Sequence, residues 1–418
     1  MARTVAGLPE GARVSDYITL GVLAERIPLE AIHEILRKEG RQSQRQRSLP
    51  AHVVVYYVVA LALFMEVSYG EVLRCLVEGL QWLGWPVKQL RQTGRSGISQ
   101  ARTRLGFEPM KHLYQEIVRP IATERTRGAH YRKWHSVSLD GSTLDMPDEA
   151  RNSEAFGRPV VSRGRSAFPK LRFVTLVECG THVLFGAVQG PYERSEATLA
   201  RDVVTRLRPG MLCLADRYFF GFSLWQEATK TGADLLWRMK INANLPCNER
   251  LDDKSYLSKI YRSDKDRRLD RNGRVVRVIE YTLDSDKEPS ASEGSETVYR
   301  LMTTILDPEA APAAELAALY TERWEIETAF DEFKTHLRGR AVVLRSKTPD
   351  LVRQEFYGLL LAHFVVRGLM HEAALKADLD PDKISFVHSV RVIRRRIQET
   401  YATPDTGPFP PSGNCDTS

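Results

Sequence analysis

Residues 320–334 read YTERWEIETAFDEFK. The stretch is crowded with charge, and a solvated amphipathic helix would look much the same. Helix geometry separates its residues. At about 100° per residue, Tyr320, Arg323, Asp331 and Lys334 fall within about 40° of Glu327. Leu319, Ile326, Phe330, Phe333 and Leu337 form an apolar stripe centred about 90° away. Glu325 and Glu332 are expected on the opposite, solvent side. Glu327 therefore borders the buried face, flanked by two cations and a tyrosine. Taken alone, this face fits a structural ion-pair network as well as a working site.

Two further acids change the weighing. SVSLDG (136–141) is strand-like and is expected to end at Asp140. Gly141 follows, where backbone or ligand can approach closely. MLCLADRYF (211–219) is a buried strand ending at Asp216, with Arg217 next. Acids at strand ends also serve as caps or turn residues. Two carboxylates from strand ends and one from a helix on the sheet form the oxygen set that hard divalent cations need. Two such ions about 4 Å apart activate a nucleophile and stabilise a leaving oxygen in phosphoryl displacement. Asp145 and Asp148 are read as loop residues, and Trp324 as packing. The histidines show no ligand spacing, so His135 and His182 are read as structural.

The rest of the chain sets the frame. Its 418 residues suggest two or three domains. Lys and Arg outnumber Asp and Glu by 60 to 53, a formal +7 that leans mildly toward a polyanionic partner. Cys75, Cys179, Cys213, Cys247 and Cys415 have no CxxC spacing, so neither a disulfide framework nor a zinc cluster is expected. A reduced, intracellular setting fits. MARTVAGLPE (1–10) lacks an apolar signal core. VVVYYVVALALFM (53–65) is too short to span a bilayer and reads as a buried core helix.

Up to about residue 125 the pattern is helical. PLEAIHEILRKEG (28–40) ends in a helix stop at Gly40, and the basic RQSQRQR (41–47) follows. SGISQARTRLG (96–106) offers a short basic helix with Ser96 or Ser99 as N-cap and Gly106 as stop. Its Arg102 and Arg104 suit either a DNA groove or a solvated face. From residue 130, three strands and then alternating helices and strands indicate an α/β sheet covered by helices. RVVRVIEYTL (274–283) and VYRLMTTIL (298–306) read as antiparallel strands of a β-rich insertion, separated by the polar DSDKEPSASEGSE (284–296). Two helices follow the charged one, and the Pro/Gly/Ser-rich tail from Thr403 is expected to be disordered.

Together these residues resemble the bacterial insertion-sequence transposases of the IS4 type. That family's C-terminal signature, Y-(2)-R-(3)-E-(6)-K, is met by Tyr320, Arg323, Glu327 and Lys334. LDGST (139–143) and ADRYF (215–219) match its first and second acids, and the resemblance runs from about residue 17 to about 400. It implies an α/β fold: an RNase H-like DDE catalytic core with a β-rich insertion, preceded by an α-helical N-terminal domain and followed by C-terminal helices. The divisions expected are a DNA-binding domain over 1–125 and a catalytic domain over 126–345 with the insertion at about 241–305. C-terminal helices over 346–400 and a tail over 401–418 complete it.

The resemblance implies cut-and-paste movement of a DNA element. Asp140, Asp216 and Glu327 would be catalytic and would hold two Mg²⁺ ions, with Mn²⁺ as substitute. Tyr320, Arg323 and Lys334 would contact phosphate. Arg217 would do so too, or would orient an acid by pairing. Relatives place a base-stacking tryptophan on the last insertion strand. This chain has Tyr299 there, which either stacks on a base or is an ordinary strand residue. The implied partner is double-stranded DNA: the element's terminal inverted repeats and the target. The implied active form is a homodimer or multimer, cytoplasmic and nucleoid-associated, with no membrane. The rivals are a decayed protein that binds element ends without cutting them, and a general RNase H-like nuclease.

Overall fold

The computed structural model describes residues 23–43, 49–82, 94–161, 164–240, 242–282, 298–339 and 343–398. Part of the basic 41–47 stretch, the polar 284–296 segment, the tail and Cys415 lie outside them. Among the described residues the first part of the chain is helical, with helices Leu29–Lys38, Ala51–Leu63, Tyr69–Trp82, Arg95–Leu105 and Glu108–Ile117. The second is apolar on all sides, so it has no face to offer water and is buried almost throughout. It packs along the 29-residue helix Pro349–Ala377. By length and composition that helix is apolar enough to cross a membrane, but 78% of its apolar window is buried inside the fold. It is a core helix that ties the first helices of the chain to the last.

Between these helices lies one mixed sheet. Its strands are β1 (His130–Tyr131), β2 (Trp134–Asp145), β5 (Lys170–Glu178), β6 (Leu184–Pro191), β7 (Met211–Ala215), β8 (Asp234–Arg238), β9 (Glu249–Arg250), β10 (Tyr256–Ile260), β11 (Arg274–Tyr281) and β12 (Tyr299–Thr303). A short separate pair is formed by β3 (Val160–Val161) and β4 (Gly164–Arg165). The order is β6-β5-β2-β7-β8-β12-β11-β10-β9, with β1 beside β2. β2, β7 and β8 are parallel, and the other neighbours are antiparallel. The central β7 is buried at every residue, as expected where both faces of a parallel strand are covered.

The structure departs from the sequence expectations in four places. Asp140 does not end its strand, because β2 continues to Asp145. What ends there is the pairing with β7, whose last matched pair is Leu139 and Ala215. Asp145 is therefore a strand residue, ion-paired with Lys170 at 2.5 Å. The strands of the β-rich segment are antiparallel as expected, and because β12 pairs with β8 they extend the central sheet. In the helix Arg95–Leu105, Gly94 is the N-cap and Gly106 ends it at φ +73°. Arg102 on that helix is buried and donates to Gln354 Oε1 at 2.8 Å and Ser346 Oγ at 3.0 Å, so it reads no DNA groove.

The contact between the two long apolar helices leaves no spare volume. A Cβ added to Gly358 would stand 2.7 Å from Val58 Cγ1 and 3.0 Å from the Val58 carbonyl oxygen. Gly358→Ala is expected to cost about 1–3 kcal/mol through forced separation of the helices. Chemical denaturation checks this, and an unshifted midpoint would show that the pair has room to move.

Candidate active site

The site is built where β7 stops and β2 goes on. Leu139 matches Ala215 across the parallel pair, so the next residues, Asp140 and Asp216, emerge side by side. Asp216 Oδ1 accepts the Tyr218 amide at 2.5 Å, which fixes the carboxylate over its own turn. Asp140 accepts the Gly141 amide at 2.7 Å. Burial pushes its carboxyl up to about 6, against the pull of Gly141 and Arg323, and the charges of Asp216 and Glu196 push the same way.

Glu196 is an acid that spacing could not find. It opens the helix Glu196–Val204, whose N-cap Ser195 accepts the Thr198 amide at 3.2 Å. Its carboxylate lies over Gly141, where an added Cβ would stand 2.8 Å from Glu196 Cδ. Arg172 stands 3.9 Å from it. Burial raises its carboxyl, Arg172 opposes this, and Asp216 adds to it. The glycine after the first aspartate was the sole hint in the sequence.

The charged helix lies across these strand ends. It is not one regular helix. Ala313–Thr321 is α, Glu322–Trp324 tightens to 3₁₀, Glu325–Asp331 returns to α and Glu332–His336 widens to π. Such changes of pitch recur at functional sites. Phe330 and Phe333 meet Phe173 of β5 edge-on, with ring centroids 5.6 Å apart in each pair. This seat aims three signature residues at the site. The buried Tyr320 donates its hydroxyl to the Ala215 carbonyl at 3.2 Å. Arg323 Nη1 is 3.8 Å from Asp140 Oδ2. Lys334 donates to Ser142 Oγ at 2.9 Å, two residues past Asp140.

Glu327 stands exposed, one turn beyond Arg323 on the same rod. Among the described residues, one set of three ligand-type side chains has its ligand atoms within 4.8 Å of one another, and it comprises His182, Glu325 and Asp382, none of them a sequence-assigned ligand. The carboxylates of Asp140, Asp216 and Glu196 lie close enough for their charges to act on one another. Arg217, half-buried, follows Asp216 directly. Tyr299 on β12 stacks on Tyr281 at 5.5 Å, with the Arg238 guanidinium 4.3 Å over its ring. Arg238 faces both Tyr281 and Tyr299, and the charge of Arg323 also reaches Tyr281.

Two expectations for this helix are corrected. Trp324 does not pack: it is 62% exposed beside the acids, as is Tyr218 at 71%. Glu325 and Glu332 do not face solvent. Glu325 is half-buried and accepts the Gly180 amide at 2.9 Å. Glu332 is buried and accepts from Arg367 Nε at 2.7 Å, because Pro349–Ala377 covers that side of the rod. Burial alone would raise the Glu332 carboxyl, but His182, His363 and Arg367 hold it far below the usual carboxylate range.

The comparisons with known proteins agree with this architecture. The chain matches the transposase DDE domain family over residues 136–365 and the insertion element 4 transposase N-terminal family over 17–115. It belongs to the IS4 family of DDE transposases. It is similar to the transposase InsG for insertion sequence element IS4 of Escherichia coli (strain K12), with 26% identity over 385 residues, covering 90% of this chain and 82% of that protein. It is also similar to the putative transposase InsZ of the same strain, with 27% identity over 230 residues, covering 54% of this chain and 72% of that protein.

Removing one partner from the buried Glu332–Arg367 pair strands the other charge. Glu332→Gln is expected to cost about 3–5 kcal/mol in stability. Because the folded pKa is depressed, this contribution is present above the ordinary value of 4.5 and is lost as pH falls below it. Wild-type and variant stabilities, measured by denaturation at neutral and acid pH, should therefore converge on acidification. A constant difference would reject the pair's role.

Proposed function

We propose that this transposase moves its own insertion sequence by cut-and-paste phosphoryl transfer, cutting DNA at the element's ends and joining the freed ends to target DNA. The observation that supports it most strongly is the β2–β7 register, which sets Asp140 beside Asp216 under Arg323. The order β6-β5-β2-β7-β8, with β5 alone running against the others, supports an RNase H-like core.

The residues fit divalent metal. Neighbouring carboxylates of Asp140, Asp216 and Glu196 give a hard-oxygen surface, and their mutual repulsion is what a bound cation relieves. Asp140 and Asp216 would hold two Mg²⁺, or Mn²⁺, and Glu327 would complete the set. When bound there, the ions would supply an activated water and a stabilised leaving oxygen.

The remaining roles follow from position. Arg323 and Lys334, beside Asp140 and Ser142, meet the phosphates flanking the cut, and Arg217 extends that row. Tyr320 is a positioning residue rather than a phosphate contact: its hydroxyl holds the carbonyl immediately before Asp216. Tyr299 offers the aromatic wall against which a displaced base stacks. Two ends must be joined in one event, so the active form is a homodimer or multimer on double-stranded DNA.

Asp216→Ala is expected to abolish cleavage of DNA carrying the element's ends while leaving binding to those ends largely intact. Gel-resolved cleavage and a binding titration check both halves. Cleavage at the wild-type rate by the variant would remove Asp216 from the site. Equal cutting of DNA without the ends would point to a general nuclease.

A further inference from the structure

On the far side of the signature helix lies a second cluster. Glu325 is two residues from both Arg323 and Glu327, so its side chain leaves the rod on the side away from the aspartates. It meets the turn between β5 and β6, where His182 sits, and Asp382, in the short 3₁₀ helix Pro381–Lys383 that follows Pro349–Ala377. His182 is 2% exposed, and its Nε2 makes no hydrogen bond. That nitrogen is nevertheless 3.2 Å from Asp382 Oδ1 and 3.8 Å from Glu325 Oε2. The backbone carries His182 at φ +57°, a left-handed conformation rarely adopted by side-chain-bearing residues. A buried imidazole nitrogen aimed between two carboxylates, on a strained turn, has the form of a ligand set.

We propose that His182 Nε2, Glu325 and Asp382 bind a divalent transition metal of the zinc class. Zinc with nitrogen and oxygen ligands at about 2.0–2.2 Å sets its tetrahedral ligand atoms about 3.3–3.5 Å apart. The observed 3.2 and 3.8 Å separations need only small movements to match. The Arg367 guanidinium donates to His182 Nδ1, so ligation through Nε2, which moves the ring proton to Nδ1, requires Arg367 to give up that contact and keep its bond to Glu332. Glu332 Oε1, 3.6 Å from Nδ1, is the carboxylate that would then take the ring proton, as carboxylates behind metal-bound imidazoles do. Glu332 and Asp382 face the Arg367 guanidinium and Glu325 adds a third carboxylate at His182 Nε2, so a divalent cation would balance the excess. Asp382 is exposed, which opens the site to solvent. Magnesium, which takes oxygen ligands in an octahedron, suits this imidazole site poorly and the aspartate site well. The metal would pin the helix that carries Glu327 to the β5–β6 turn and to the short 3₁₀ helix Pro381–Lys383.

The test is zinc content of the full chain after dialysis against Zn²⁺ with excess Mg²⁺, followed by metal-free buffer. Wild type and Asp216→Asn should each retain one zinc per chain, so the outcome does not depend on the catalytic assignment. Asp382→Asn and Glu325→Gln should bind zinc at least about tenfold more weakly. Asp382 is exposed in a single 3₁₀ turn, and its variant should keep the wild-type circular dichroism spectrum. Added Zn²⁺ should raise the thermal midpoint of wild type and leave that of Asp382→Asn unmoved. Absence of zinc from wild type, or equal retention by both ligand variants, would overturn the proposal.

Discussion

The seating of one helix on one phenylalanine organises the site. Phe330 and Phe333 both press their rings edge-on against Phe173, and Phe356 of the long core helix closes the cluster at 5.4 Å from Phe173. Edge-to-face pairs of this kind contribute about 0.5–1.5 kcal/mol each beyond burial. Their greater effect is on position. A slip of one helical turn moves side chains by about 5.4 Å, enough to separate every polar contact made at the strand ends. With the rings locked, Tyr320 reaches Ala215, Arg323 reaches Asp140 and Lys334 reaches Ser142 without further adjustment.

The two sides of the rod then carry different electrostatic problems. Toward the strand ends, acids from β2, the end of β7 and the start of a helix crowd together with Arg323 as the close counter-charge. That arrangement is unfavourable until cations or DNA-bound metal arrive, which suits a site that works only on its substrate. Toward the long helix, Glu332 is paired with Arg367, while Glu325 and Asp382 remain beside His182 as further negative charge.

Much of this was legible in the sequence because it is local. The apolar stripe Ile326, Phe330, Phe333 and Leu337 is buried as helical periodicity requires. Both aspartates lie where the parallel pairing of their strands gives out, and the helix stops at Gly40 and Gly106 appear with positive φ. What a single helical wheel misplaced were Glu325 and Glu332, since the rod changes pitch and a second helix covers its outer side. Trp324 was read as packing because tryptophan is apolar, yet it sits where the tightened turn leaves it in water. Glu196, hinted at by Gly141 alone, and the His182 cluster escape the sequence for a different reason. Their partners come from distant segments, and no spacing along the chain encodes a meeting set by tertiary packing.

The position of Glu327 is the point on which the catalytic assignment turns. The direct measurement is strand cleavage of DNA carrying the element's own inverted ends, with Mg²⁺, for wild type beside Glu327→Gln. The glutamine keeps the size of the side chain and removes its charge. Cleavage by wild type at the ends, with none by the variant and end binding unchanged, is the predicted result. Cleavage by Glu327→Gln at the wild-type rate would show that the third acid lies elsewhere, with Glu196 the neighbouring carboxylate already in place.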